Sequence, residues 1–401
     1  GDGSRLTFQE LNERCNAVAH GLSGMGIRPQ DRVAIICHNC HEYLESVFAI
    51  AKTGAVATSL NWRLAPRELA FLLEHSDARA VFFSRRFAHL VDPVLQLLGR
   101  DLAFIAVGGG LDDALDYETL VSSNPRTEPA APPRQANDTV LQMYTSGTTG
   151  QPKGVMLTHR NVLSNAVNTL IEQQFSRRDI FLNVLPIFHI AIYVTINCVF
   201  IGATNVFQPE FDLDAVLSII EKEKVTAMGL APVIINYLVH HPRIQDHDLS
   251  SLRWINYATA PMPVALLKKA MQVLQCDFMQ VFGQTETSPV VSILIPEEHV
   301  VEGPEFKVRR LGSVGRPIMN VAIRIVDDGG RECPQGEVGE IAAAGDIVMK
   351  GYYKMEAATA ETIRDGWLHT GDMGYFDEHG YLYLVDRKKD MIISGGENIY
   401  P

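Results

Sequence analysis

Ten consecutive residues, Thr145-Ser146-Gly147-Thr148-Thr149-Gly150-Gln151-Pro152-Lys153-Gly154, place four hydroxyl side chains, three glycines and a lysine on one short segment. Glycines let successive backbone N–H groups close around an anion, hydroxyls add donors, and the lysine supplies positive charge. Together they can cradle phosphate. The segment is not a Walker A loop, which would need glycine where Pro152 stands. A Ser/Thr/Gly surface turn would account for the glycines, but not for the hydroxyls and the lysine gathered at one strand end.

The elements that must position this loop follow from hydrophobic periodicity. Thr139 to Tyr144 reads as the strand entering it, and a helix follows from about His159. Upstream, helix Leu6 to Met25, strand Arg32 to Cys37, helix His41 to Lys52 and strand Ala55 to Ser59 alternate, and the next helix has Pro66 in its first turn. Such alternation predicts βαβ units around a mostly parallel sheet, an α/β fold. It resumes with helix Asp212 to Glu223, strand Val225 to Gly229, helix Pro232 to His240 and strand Arg253 to Tyr257. A helix near Pro263 to Leu274 and the strand Phe278 to Val281 complete that run. Residues 124–137, rich in Pro and Ala, read as an exposed linker. From about residue 313 to 385, short strands around Asp327-Asp328-Gly329-Gly330 and Glu378-His379-Gly380 predict a small β-rich subdomain.

Bulk properties bound the function. A chain of 401 residues exceeds the size of one hydrophobic core. Net charge is −12 with no Lys/Arg run, which argues against nucleic acid as a partner. An anionic substrate must then be caught by local donors. The six scattered cysteines fit a reducing cytoplasm better than a disulfide framework. Cys37-His38-Asn39-Cys40-His41 has haem-attachment spacing, yet it joins an apolar strand to an amphipathic helix with Asn39 as the expected N-cap, so neither haem nor metal is assigned. Thr7 to Glu10 reads as a capping box, not part of a signal peptide. Ile180 to Pro209 carries no charge, but Pro186, His189, Asn197, Gly202 and Asn205 break it, so strand, helix and strand are expected, with no transmembrane segment.

Further motifs stand in a fixed order: Leu185-Pro186-Ile187-Phe188-His189, Ala260-Pro261, Phe282-Gly283-Gln284-Thr285-Glu286, Gly336 to Glu340, Trp367-Leu368-His369-Thr370-Gly371-Asp372, and Asp386-Arg387-Lys388-Lys389 through Gly396 to Pro401. With the phosphate loop they resemble the adenylate-forming superfamily of acyl-CoA synthetases, peptide-synthetase adenylation domains and luciferases, over essentially the whole chain. The resemblance implies a large N-terminal domain, residues 1–385, with two αβ sheet subdomains and the small β-rich one. Residues 386–401 would be a hinge, with Lys389 at its pivot, and the start of a C-terminal domain that relatives continue.

The same resemblance implies the chemistry. ATP would sit on Thr145 to Gly150 and Lys153, against Ala260, Pro261, Phe282 and Gly283. Glu286 would ligate Mg²⁺, since a hard dication on phosphates wants carboxylate oxygen and water. Thr285 would donate to the α-phosphate, Asp372 would accept from both ribose hydroxyls, and Arg387 would assist at the ribose or α-phosphate. Taken singly, Glu286 reads as a surface residue, Asp372 as a turn residue and Arg387 as part of a charged turn. Phe282 stands where many relatives carry Tyr; stacking survives, a phenolic contact does not.

His189 would lie beside the acyl carboxylate, not as a general base, because that carboxylate is already ionised. No carboxylate near Ile187 to Ile192 could hold a substrate ammonium, so an α-amino acid is not expected. Ile190, Ile192, Val194, Met228, Val233, Ile234 and Tyr237 are candidate linings of an apolar acyl pocket, or plain core. The expected reaction is AMP-forming acid–coenzyme A ligation of a small-molecule carboxylic acid, first a fatty acid and alternatively an aryl acid. An adenylation domain serving a carrier protein, or a non-catalytic nucleotide binder, are the rival readings. Peripheral membrane contact and a homodimer stay open as partnerships.

Overall fold

A computed structural model describes residues 3–99, 102–109, 114–145, 151–260, 262–387, 392–394 and 397–399, with backbone alone for 386, 387 and the last two segments. Two large mixed sheets, a third, curled antiparallel sheet and a two-stranded pair, Ile392–Ser394 with Glu397–Ile399, hold the strands of the described residues. In the first, the strands run Gly351–Tyr352, Lys153–Thr158, Thr139–Thr145, Val56–Ser59, Arg32–Ile36, Ala78–Ser84, Ala103–Val107 and Leu115–Asp116. The strands from Thr139–Thr145 to Leu115–Asp116 are parallel, as the βαβ alternation predicts. Side chains alternate across it: Val33 and Ile35 join one core cluster, Ala34 and Ile36 the other.

The second sheet orders Arg316–Pro317, Val290–Leu294, Asp277–Gly283, Trp254–Tyr257, Ala227–Leu230, Ile180–Asn183 and Thr204–Phe207. Its register sets Asn183, Gly229, Asn256 and Met279 on one face, with Leu182, Met228, Ile255 and Phe278 one residue away on the other. The third sheet runs Ala322–Val326, Gly339–Ala344, Trp367–Phe376 and Ile363–Arg364, with Leu382–Arg387 also on Trp367–Phe376.

Local chemistry sets the ends. Thr7 caps helix Phe8–Gly24 in a full capping box: Glu10 N–H donates to its hydroxyl at 3.2 Å, and the Glu10 carboxylate accepts from Thr7 N–H at 2.7 Å. The uncharged stretch folds as strand Ile180–Asn183, helix Ile192–Ile201 and strand Thr204–Phe207, and no helix among the described residues is long and apolar enough to cross a membrane.

Two expectations need correction. The phosphate segment does not run from strand to helix: strand Lys153–Thr158 intervenes and pairs antiparallel with Thr139–Thr145, setting Thr145 opposite Lys153. Its alternating Val155 and Leu157 are buried in the core, and the two strands form a hairpin. Asn39 is not an N-cap either. Cys40 occupies the cap of helix His41–Thr53 without a side-chain bond. The Asn39 amide instead crosses to the other sheet, donating to Leu185 O at 2.9 Å and accepting from Ile187 N–H at 2.9 Å.

Candidate active site

The hairpin puts Thr145 at the end of its strand, and a single 3₁₀ turn, Thr285–Thr287, brings Glu286 up to it. The Glu286 carboxylate accepts from the Thr145 hydroxyl at 3.3 Å and from the Tyr352 hydroxyl at 3.0 Å, both on one oxygen, Oε1. The Lys153 ammonium lies 4.7 Å from the centroid of the Tyr352 ring. Tyr352 therefore touches both the buried acid and the cation, a role the sequence did not signal.

The turn is held in place at several points. The Glu286 carbonyl accepts from Met349 N–H at 2.9 Å. Gly283 has φ +154°, and a Cβ there would lie 1.8 Å from the Pro289 carbonyl oxygen, so only glycine lets the strand turn back on itself. The Thr287 hydroxyl accepts from Gln284 N–H at 3.0 Å. Oε2 of Glu286 makes no bond among the described residues. One carboxylate oxygen free beside hydroxyls and an ammonium suits Mg²⁺, which takes one or two protein carboxylates and completes its shell with phosphates and water. Ser146, Gly147, Thr148, Thr149 and Gly150 lie outside the described residues, as do Pro261 and Lys389.

The third sheet supplies Asp372. It is buried, and it stands directly opposite Arg387 in the antiparallel register; the Arg387 side chain lies outside the described residues. The turn before it is tied by Glu340, whose carboxylate accepts from Gly371 N–H at 3.2 Å and lies 3.3 Å from His369 Nδ1. The Thr370 hydroxyl donates to Ile341 O at 2.8 Å and accepts from Asp372 N–H at 3.1 Å. Phe282 packs against core clusters built partly from this sheet, linking it to the strand that precedes Glu286.

A narrow cavity of about 80 Å³ is lined by residues of the second sheet and of helices His159–Glu172 and Ile192–Ile201. Ile190, Ala258, Thr259 and Pro289 bound it, so it adjoins His189, Ala260 and the Glu286 turn. Thr259 has φ +73°, a left-handed conformation that strains a β-branched residue by roughly 1–3 kcal/mol. His189 sits in the turn anchored by Asn39, its N–H donating to Pro186 O at 3.3 Å.

Among the candidate linings, Ile190 and Val194 face the cavity. Met228 does not: it is fully buried in the core cluster on the opposite sheet face, which Ile234 also packs against. Val233 is not among the lining residues, Ile192 is core, and Tyr237 is 56 % exposed. The cavity instead shows Gly229, where a Cβ would approach Asn256 Oδ1 to 2.6 Å, together with the amides of Asn165, Gln173 and Asn197. Alternation along Ala227–Leu230 could have offered Gly229 as readily as Met228; nothing in the sequence chose between them.

The model of the family described as AMP-binding enzyme matches residues 1–353. A feruloyl-CoA synthase of Amycolatopsis sp is 40% identical over 401 residues, covering 100% of this chain and 77% of its own length. A long-chain-fatty-acid–CoA ligase of Mycobacterium tuberculosis is 35% identical over 401 residues, covering 99% of this chain and 76% of its own. Among solved structures, an amide bond synthetase from Marinactinospora thermotolerans superposes with a TM-score of 0.92 at 29% identity, covering 100% of this chain and 78% of that one.

Proposed function

This chain belongs to the AMP-binding enzyme family, with the AMP-forming acyl-CoA synthetases, and from that premise we propose that it activates a carboxylic acid with ATP and passes the acyl group to coenzyme A. The acid's carboxylate oxygen bonds to the α-phosphorus, and the bond to pyrophosphate breaks. The coenzyme A sulfur then bonds to the acyl carbon, the thiol gives up its proton, and AMP leaves. Positioning and electrostatics carry such chemistry.

The observation that carries this reading is the buried Glu286 carboxylate held between Thr145 and Tyr352, beside Lys153, at a phosphate-type hairpin. Mg²⁺, when bound, offsets phosphate charge there; Glu286 and the loop hydroxyls would hold it with the phosphates. Lys153 and Thr285 would bind phosphate oxygens, and Asp372 the ribose hydroxyls. His189 and Ile190 would flank the acyl carboxylate.

Between the expected fatty acid and the aryl alternative, the compact cavity and the 40% identity to a feruloyl-CoA synthase support an aryl acid. The free cysteines support a reducing, cytoplasmic setting. Acid-dependent pyrophosphate release, measured across straight-chain and aryl acids with and without coenzyme A, tests the proposal. Release and thioester with at least one acid are expected. No acid-dependent release from any of them sinks it, and release without thioester would point to another acyl acceptor.

A further inference from the structure

Helix His159–Glu172 buries Val162 and Ala166 in the core, yet it leaves a second apolar stripe outside and turns polar residues inward. Leu163, Val167 and Ile171, spaced four apart, are 45–53 % exposed, while Asn165 and Thr169 turn inward at 1% and 2%. An amphipathic helix on a protein surface buries its apolar stripe. Here polar residues beside the buried Val162 and Ala166 face the cavity, and Gln173 and, from helix Ile192–Ile201, Asn197 extend the polar wall.

The orientation of two of these amides is settled by their neighbours. Asn165 Nδ2 donates to the Val290 carbonyl at 3.0 Å, so its Oδ1 points elsewhere as an acceptor. Asn197 Nδ2 donates to the Thr169 hydroxyl at 2.8 Å. That hydroxyl spends its own proton on a backbone carbonyl, Asn165 O at 2.8 Å, and can only accept from Asn197. Oδ1 of Asn165 and Oδ1 of Asn197 are therefore true acceptors, and neither has a hydrogen-bond partner; Gln173 Oε1 is a third atom in the same condition. All three side chains are more than nine-tenths buried. Leaving such groups unpaired costs free energy, and buried polar groups are normally paired by protein, water or ligand.

Resting on the ligase reading above, we propose that this cavity selects acids whose far end carries a hydrogen-bond donor, a hydroxyl or amino group on an aryl ring, which pairs with Asn165 and Asn197. An alkyl chain would bury against these oxygens without satisfying any of them. A methyl ether, an acceptor only, would face them acceptor to acceptor.

The test compares three phenylpropenoic acids that differ only at the para position: hydroxyl, hydrogen and methoxyl. The hydroxylated acid is expected to exceed the other two in kcat/KM by roughly tenfold to a hundredfold, as for a site whose acceptors are left unpaired by the wrong ligand. Equal rates, or a preference for the unsubstituted acid, overturn the proposal. Asn165→Leu and Asn197→Leu should each shrink that ratio, and because the ratio is internal to one preparation, a loss of folded protein does not mimic the result. Equilibrium dialysis of each acid against the wild-type protein separates this inference from the ligase reading. No thioester with any acid but tighter retention of the hydroxylated one would refute the reaction and keep the site, whereas equal retention of the three would refute the site.

Discussion

The two faces of the second sheet use the same strands for opposite purposes. On one, Leu182, Met228, Leu230, Ile255, Tyr257 and Phe278 build a fully buried apolar cluster. Even its polar atoms are matched there: His299 donates Nδ1–H to Ile295 O at 2.9 Å, which leaves Nε2 to accept from the Tyr257 hydroxyl at 3.1 Å. On the other, one residue out of step, Gly229 and Asn256 look onto a cavity walled by amides with free acceptor oxygens. The first face holds the strands in register. The second leaves groups unmatched where a ligand can match them. A protein only marginally stable as a whole can carry such unpaired groups on one face because the other is well packed.

The contrast can be broken hardest on the packed side. Phe278→Ala opens a cavity in that cluster and should cost about 3–5 kcal/mol of stability, read as a lower urea midpoint, while bound acid still raises the melting temperature. Glu286→Gln, just past the same sheet, should act the other way round. Removing its charge should cut the pyrophosphate-release rate by roughly 10²–10³-fold and leave the urea midpoint close to wild type. Loss of stability without loss of rate would remove Glu286 from the site.

Acid sharpens the comparison next. Burial pushes the His299 imidazole down to about 4 from its ordinary 6.5. Above pH 6.5 it is neutral folded or unfolded, and its contribution is fully present. As pH falls from there towards 4 the unfolded chain takes up the proton first, so roughly 3 kcal/mol should drain away. Urea titrations at pH 7.5 and 4.5 should show that loss, and His299→Gln should flatten it. The smallest effect is expected at Gly229→Ala. Its Cβ meets the Asn256 side chain, a movable neighbour, so about 1–2 kcal/mol of stability is lost, with a roughly tenfold lower kcat/KM for ring-bearing acids. A larger loss of stability than of activity there would make Gly229 a packing residue only.

The legibility of the site follows from the range of the signals. Thr145 and Lys153 stood out because their types and the turn around them suggest phosphate binding, whereas Glu286 and Asp372 were singled out only by the resemblance their motifs carry. Tyr352, Glu340 and Asn39 were missed because each acts on a partner far along the chain: Tyr352 on Glu286, Glu340 on Gly371 and Asn39 on Ile187. Asn165, Thr169 and Gln173 did carry a signal, polar residues at a four-residue spacing beside the apolar stripe Leu163, Val167 and Ile171. Periodicity identifies the apolar rows of a helix but not which of them turns inward, and here Val162 and Ala166 are buried while Leu163, Val167 and Ile171 are not.

By itself, the sequence determined the α/β alternation and, through motifs in a fixed order, the family to which the chain belongs, because hydrophobic period and motif residues are local properties. Only the tertiary structure decided that Gly229 and not Met228 borders the cavity, that Glu286 meets Thr145 and Tyr352, and that a helix turns its amides inward. Strand parity and helix rotation are set by which surfaces pack together, and a one-residue step in a strand exchanges core for cavity.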